Sequence, residues 1–276
     1  MEKYLIFNAD DFGASVGINR GIVECHTRGV LTSASLMVTG RAVAEAVALS
    51  REYPNLAVGL HWDVWGEDER EFDLADSRAV REEFQIQLEA FDRLMGTMPT
   101  HIDSHRHVHL KPEMAEVFRE LVEPLGIPLR GVGPVRFVGG YYAQWQWMVT
   151  ELRHVSVEAL QGMLRNEVEP GFTEFSCHPG YVTPDYRAAY LKEREYEVAT
   201  LTDPRIRRTL LEEEIQLISY AEYGRLQPLV GGPLPNGRGS VTHSEPRPQG
   251  NGLLDDVVAP VACEIVAQQD VIGGLK

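Results

Sequence analysis

From the N-terminus to Leu226, short apolar runs take turns with longer stretches whose apolar residues recur at helical spacing. Strands buried on both faces read as near-continuous apolar runs, and amphipathic helices as three-to-four-residue periodicity. Their strict alternation therefore predicts parallel strands covered by helices. The strand candidates are Tyr4–Ala9, Leu31–Val38, Leu56–His61, Thr100–His105, Pro128–Val132, Thr173–Cys177 and Ile215–Ser219. The helix candidates are Val16–Arg28, Ala42–Tyr53, Arg78–Met95, Pro112–Leu125, Val157–Val168 and Pro204–Glu214. Seven such units suit an α/β fold of the (β/α)-barrel type, distorted or incomplete.

After Leu226 the pattern stops. Residues 227–276 open with a Gly/Pro-rich stretch without period, which reads as a disordered tail on a barrel domain spanning residues 1–226. The chain carries 41 acidic against 26 basic residues, a formal charge of −15, so nucleic acid and anionic membrane surfaces are unfavourable partners. Three scattered cysteines without a CxxC pair suggest neither a zinc ribbon nor a disulfide framework. The acidic start, MEKYLIFNADDFG, lacks the features of a signal peptide, and no apolar run reaches the roughly 18 residues of a membrane span. A cytoplasmic location is the expectation.

The chemistry gathers where strands end. Asn8-Ala9-Asp10-Asp11, Gly59-Leu60-His61, Asp103-Ser104-His105-Arg106-His107-Val108-His109 and Ser176-Cys177-His178-Pro179 each close a predicted strand. The carboxyl ends of parallel strands face one crevice, so four strands bring Asp and His side chains to one place. Two adjacent carboxylates repel unless a cation sits beside them. One of Asp10 and Asp11 can then ligate a metal while the other faces substrate. His101, His105, His107 and His109 fall within nine residues; if the strand continues, His105, His107 and His109 share one side with Asp103. An aspartate behind a ligating histidine fixes its tautomer. Histidine and carboxylate donors suit a divalent transition metal, which activates water and polarises a carbonyl. His178 has a side chain able to protonate a leaving group near neutral pH. Gly13-Ala14-Ser15-Val16-Gly17 matches a nucleophile elbow in letters, but it lies several residues beyond its strand, and Ser15 reads as a helix N-cap. Trp62, Trp65, Tyr141, Tyr142, Trp145 and Trp147 fall in or near loops, where they either stack on sugar rings or pack the loops.

NADDFG, GINRGIVECHTRGVLTSASLMVTG, VGLH, THIDSHRHVH and the closing ISYAEYGRL together resemble the YdjC-type carbohydrate deacetylases, which include the chitooligosaccharide deacetylases. The resemblance runs from Lys3 to Leu226. It implies a barrel-like fold, one divalent ion (Mg²⁺ or zinc-like), and hydrolysis of the linear amide bond of an N-acetylated sugar or oligosaccharide, often by a homodimer. Carried over by motif, Asp11, His61 and His105 are the metal ligands, Asp10 is the general base and His178 the acid for the departing amine. Asp103 is the residue that holds an imidazole in place. Arg106 stands where the chitooligosaccharide members usually carry histidine, and GLHWDVWGE differs from their strand-to-loop sequence. The competing readings are a metal-dependent phosphoesterase or amidohydrolase on the same barrel, and a non-catalytic protein that binds N-acetyl sugars.

Overall fold

A computed structural model describes residues 2–66, 71–146, 148–184 and 186–230. The tail expected over residues 227–276 lies almost entirely outside them. Seven parallel strands form one sheet: β1 (Lys3–Phe12), β2 (Ser33–Leu36), β3 (Ala57–Trp62), β4 (Ile102–Ser104), β5 (Val135–Val138), β6 (Gly171–Cys177) and β7 (Ile215–Leu217). The main path is β4-β3-β2-β1-β6-β5. β6 pairs with β1 over Lys3–Ala9; the other edge of β1 is shared by β7 over Lys3–Leu5 and β2 over Asn8–Phe12. Among the described residues no ladder joins β4 to β5. The sheet is thus the expected barrel in distorted, open form.

The helices are α1 (Val16–Arg28), α2 (Val43–Glu52), α3 (Ser77–Met95), α4 (Pro112–Val122), α5 (Val157–Glu167), α6 (Lys192–Leu201), α7 (Pro204–Glu212) and α8 (Tyr220–Val230). Side chains cap several of them. Ser15 accepts from Ile18 N at the start of α1, Asp76 from Arg78 N and Ala79 N at α3, and Ser156 from Ala159 N at α5. Pro112 and Pro204 sit in first turns, where a missing N–H costs nothing. Val80, Phe84, Leu88 and Phe91 of α3 recur at helical spacing and are buried, and Trp62 of β3 packs edge-on to Phe118 of α4. No helix among the described residues is long and apolar enough to cross a membrane.

Three local expectations are revised. The strand expected at Pro128–Val132 is not a strand; β5 comes later, at Val135–Val138. Pro128–Arg130 does run along β4, since Ile102 N donates to Pro128 O and Arg130 N to Ile102 O, but Gly131 and Gly133 then take positive φ and turn the chain away. The run His105–Leu110 is not extended. It winds into 3₁₀ turns with Arg106 and His107 at φ 53° and 50°, which ends the period-two alignment of its histidines. Finally, Lys192–Leu201 forms α6, a segment for which the apolar periodicity predicts no helix.

Candidate metal centre

The ladders align the chemistry. His61 and Asp103 are direct partners across β3 and β4, Ala9 pairs with Cys177 across β1 and β6, and Phe12 with Leu36 across β1 and β2. A bulge between Ala9 and Phe12 lets the chain turn at Asp11, whose φ is +67°, a conformation that aspartate tolerates better than most residues. As a result the adjacent carboxylates diverge. Asp10 turns to the sheet interior and Asp11 to the two histidines.

One ligand atom from each of Asp11, His61 and His105 lies within 4.8 Å of the other two. Asp11 Oδ1 is 3.3 Å from His61 Nε2 and 3.2 Å from His105 Nδ1, and the two imidazoles meet edge to face. His61 Nδ1 donates to Asp103 Oδ1 at 2.6 Å, so its proton sits on that nitrogen. His61 Nε2 is then a buried atom without a hydrogen-bond partner, its lone pair turned toward a carboxylate oxygen. Two acceptors at that distance need a proton or a cation between them. The field says the same. Burial opposes charge on His61, but Asp103, Asp11 and Asp10 outweigh it and hold its pKa well above the usual value. One carboxylate and two imidazoles in a region that favours positive charge fit a divalent ion.

Asp10, His61 and Asp103 form a second close group, but there the cation is already a side chain. Arg130 is fully buried. It donates from Nη1 and Nη2 to Asp10 at 2.9 and 2.7 Å, its Nη2 is 2.7 Å from Asp103 Oδ2, and its Nε donates to Glu174 Oε1 at 2.9 Å. Burial would raise the carboxyls of Asp10 and Asp103; Arg130 reverses this and keeps both below their ordinary values. Burial pushes Glu174 up to about 7 despite Arg130 and its hydrogen bond from the Tyr220 hydroxyl. Asn8 donates to Ser35 and Asp10, and Ser35 donates to Asp103. The interior around Asp10 and Asp103 is therefore a polar network rather than an apolar core, in which Asn8 Oδ1 is left without a hydrogen-bond partner.

His178 follows β6, with Nε2 3.7 Å from Asp10 Oδ2. Burial pushes its pKa down to about 4, so the ring is neutral at neutral pH. Tyr142, itself stacked on Tyr190, lies edge-on to it, and its Nδ1 has no partner. The segment after it lies directly on α1. A Cβ at Gly17 or Gly21 would strike Tyr181 O or Gly180, so glycine at both positions allows this approach.

The remaining histidines of the run stay out of the cluster. His101 stacks on Tyr220 and faces Ser35, and His109 Nδ1 meets Ser104 Oγ. Burial lowers both to about 3. His107 packs against Phe137. Of the aromatic residues, Trp62 and Tyr141 are core and Trp145 stacks on His154. Trp65 receives Arg106 and Lys111 on its ring, and Trp147 lies outside the described residues. Sequence reasoning missed Arg130, Arg194, Glu174 and Glu197. For Arg130 there was one signal, a lone charge inside a stretch otherwise read as a strand.

A family model described as YdjC-like protein matches residues 4–212. A carbohydrate deacetylase of Geobacillus stearothermophilus is 34% identical over 256 residues, covering 82% of this chain and 100% of its own. A chitooligosaccharide deacetylase of Serratia marcescens is 30% identical over 260 residues, covering 80% of this chain and 100% of its own. Among solved structures, one from Enterococcus faecalis V583, provisionally assigned as a cellobiose-phosphate cleavage protein, has a TM-score of 0.69 at 25% identity and covers 80% of this chain and 99% of that one. The Xyl-CE4 domain of a multidomain xylanase from the hindgut metagenome of Trinervitermes trinervoides has a TM-score of 0.52 at 11% identity, covering 82% and 92%, and shares the fold.

Proposed function

The chain belongs to the YdjC-like family, and on that premise we propose that it is a metal-dependent carbohydrate deacetylase, hydrolysing the acetamide of N-acetylated sugars such as chitooligosaccharides. The observation that carries this reading is the trio of buried Asp11 and His61 with half-buried His105, in which His61 Nε2 is orphaned and turned toward the Asp11 carboxylate. In this reading these three hold the ion, Asp103 fixes the His61 tautomer, Asp10 is the base and His178 the acid. When bound, a divalent ion supplies Lewis acidity toward the acetamide carbonyl and lowers the pKa of water.

The chain's own groups then manage the proton. Asp10, kept ionised by Arg130, takes a proton from the attacking water at Oδ2, the oxygen nearer His178. A carboxylate doubly bonded to a guanidinium is a weak base, so it passes the proton on rather than keeping it. His178 starts neutral, accepts the proton at Nε2 and gives it to the departing nitrogen as the C–N bond breaks. The products are acetate and a free amino sugar.

Two imidazoles in the donor set favour a zinc-like ion over Mg²⁺, which prefers oxygen ligands. A barrel body over residues 1–226, a cytoplasmic location and a homodimer complete the reading; of these, the homodimer is carried by the family resemblance. A phosphoesterase is less well served, because Arg130 and Arg194, the buried cations of the site, are committed to carboxylates. The test is acetate release from N,N′-diacetylchitobiose by metal-stripped protein, with Mg²⁺, Zn²⁺, Co²⁺ or Ni²⁺ restored. Release that depends on added metal is expected. No release with any metal, from protein shown to bind one, would contradict the reading.

A further inference from the structure

Helix α6 carries three buried charged residues, Glu193, Arg194 and Glu197, on a face where packing alone would call for apolar ones. Glu193 is spent locally, accepting from Gln144, Thr150 and Leu191 N. The other two reach the site. Arg194 Nη2 donates to Asp11 Oδ2 at 2.6 Å and to the Tyr186 hydroxyl at 3.1 Å. Its Nη1 donates to the carbonyl of His178 at 3.3 Å and its Nε to the carbonyl of Tyr190 at 3.0 Å. Its guanidinium carbon is 5.4 and 5.7 Å from the ring centres of Tyr186 and Tyr190. Glu197, three residues on and so on the same face, accepts from the backbone N–H of His178 and from the Tyr190 hydroxyl. The residue that bears the proposed acid is thus held at both its N–H and its C=O from one helix.

The division of labour at Asp11 is the informative part. Oδ2 belongs to Arg194, and Oδ1 alone faces His61 and His105. A planar fork with fixed donor directions can hold a carboxylate in one rotation while bonding a second group; an ammonium on a flexible stem cannot. A buried guanidinium costs more than apolar packing would and gives weak net stability even when paired, so the placement of Arg194 against Asp11 and His178 points to positioning.

Resting on the metal-centre reading above, we propose that Arg194 is a positioning residue that limits Asp11 to a single metal-facing oxygen and ties that carboxylate to His178, while Glu197 holds the other end of the same residue. The full-length protein is titrated with Co²⁺, following heat of binding and the visible absorption bands, as wild type, Arg194→Lys and Glu197→Gln. Lysine keeps the charge and loses the fork. Arg194→Lys is expected to weaken Co²⁺ binding about ten-fold or more and to shift the visible bands. Glu197→Gln is expected to bind Co²⁺ like wild type, yet to lower kcat for acetate release about ten-fold with KM unchanged. Should Arg194→Lys not fold, the kcat–KM split in Glu197→Gln carries the test. Wild-type Co²⁺ affinity and spectrum in Arg194→Lys, or an unchanged kcat in Glu197→Gln, would overturn the positioning role alone. A wild-type protein that binds no Co²⁺ would overturn the metal-centre reading first, and this inference with it.

Discussion

His61 and Asp103 are direct partners in neighbouring parallel strands, and the imidazole Nδ1 donates to the carboxylate at 2.6 Å. One register therefore fixes both the direction of the ring and the nitrogen that bears its proton. It leaves Nε2 facing Asp11. Everything proposed about the metal centre depends on this pair.

Asp103→Asn removes one of two oxygens, both in use: Oδ1 accepts from His61, and Oδ2 accepts from Ser35 and faces Arg130. Whichever way the amide turns, its NH₂ meets a donor. Metal affinity is expected to fall about 10–100-fold, measured by titration of the metal-stripped variant. Wild-type affinity would show that His61 needs no such partner.

Arg130→Met leaves Asp10 and Asp103 buried without their main cation. Breaking a buried pair from one side costs about 3–5 kcal/mol, which denaturant unfolding measures. The deficit should shrink at acid pH, because carboxyls freed from Arg130 can then take up protons in the folded state. A loss below about 1 kcal/mol, or one independent of pH, would contradict the interior network.

Gly59→Ala puts a methyl group inside contact distance of the His101 imidazole, which is itself stacked on Tyr220. Overpacking of this kind costs about 1–3 kcal/mol. Thermal unfolding should show a lowered midpoint. An unchanged midpoint would mean that the His101–Tyr220 stack moves freely.

Glu197 supplies a pH dependence. Burial pushes its carboxyl up to about 8, against an ordinary value of 4.5. Between these values the unfolded chain is ionised and the folded chain keeps its proton, so stability falls as pH rises. One such group contributes up to about 1.4 kcal/mol per pH unit. Glu174, at about 7, acts in the same direction over the lower part of the window. Glu197→Gln should flatten the decline between pH 5 and pH 8, read from denaturant midpoints at a series of pH values. A slope equal to wild type would contradict a proton held on Glu197.

What could be read from the sequence follows from how each segment gains its stability. β1, β3 and β6 are apolar runs ending abruptly in polar residues, and their chemistry-bearing ends were legible for that reason. β5 was misplaced because Pro128–Arg130 pairs with β4 only briefly before Gly131 and Gly133 turn the chain, and local composition does not reveal which of two short stretches continues a ladder. α6 was missed because KEREYEVATL has the composition of a solvated surface, while its buried face is made of charges satisfied by partners far away in sequence. The histidine run misled for a related reason. Period-two spacing promised one shared face, but positive φ at Arg106 and His107 separates His105 from His107 and His109. Arg130 and Arg194 could be paired with Asp10 and Asp11 only in three dimensions.

The most direct test of the central claim pairs two readings on the same samples: bound metal per chain and acetate released from N,N′-diacetylchitobiose, for wild type and for Asp11→Ala, His61→Ala and His105→Ala. The account predicts one ion per wild-type chain, and loss of metal and of acetate release together in each variant. A variant that kept full acetate release without its ion would contradict it.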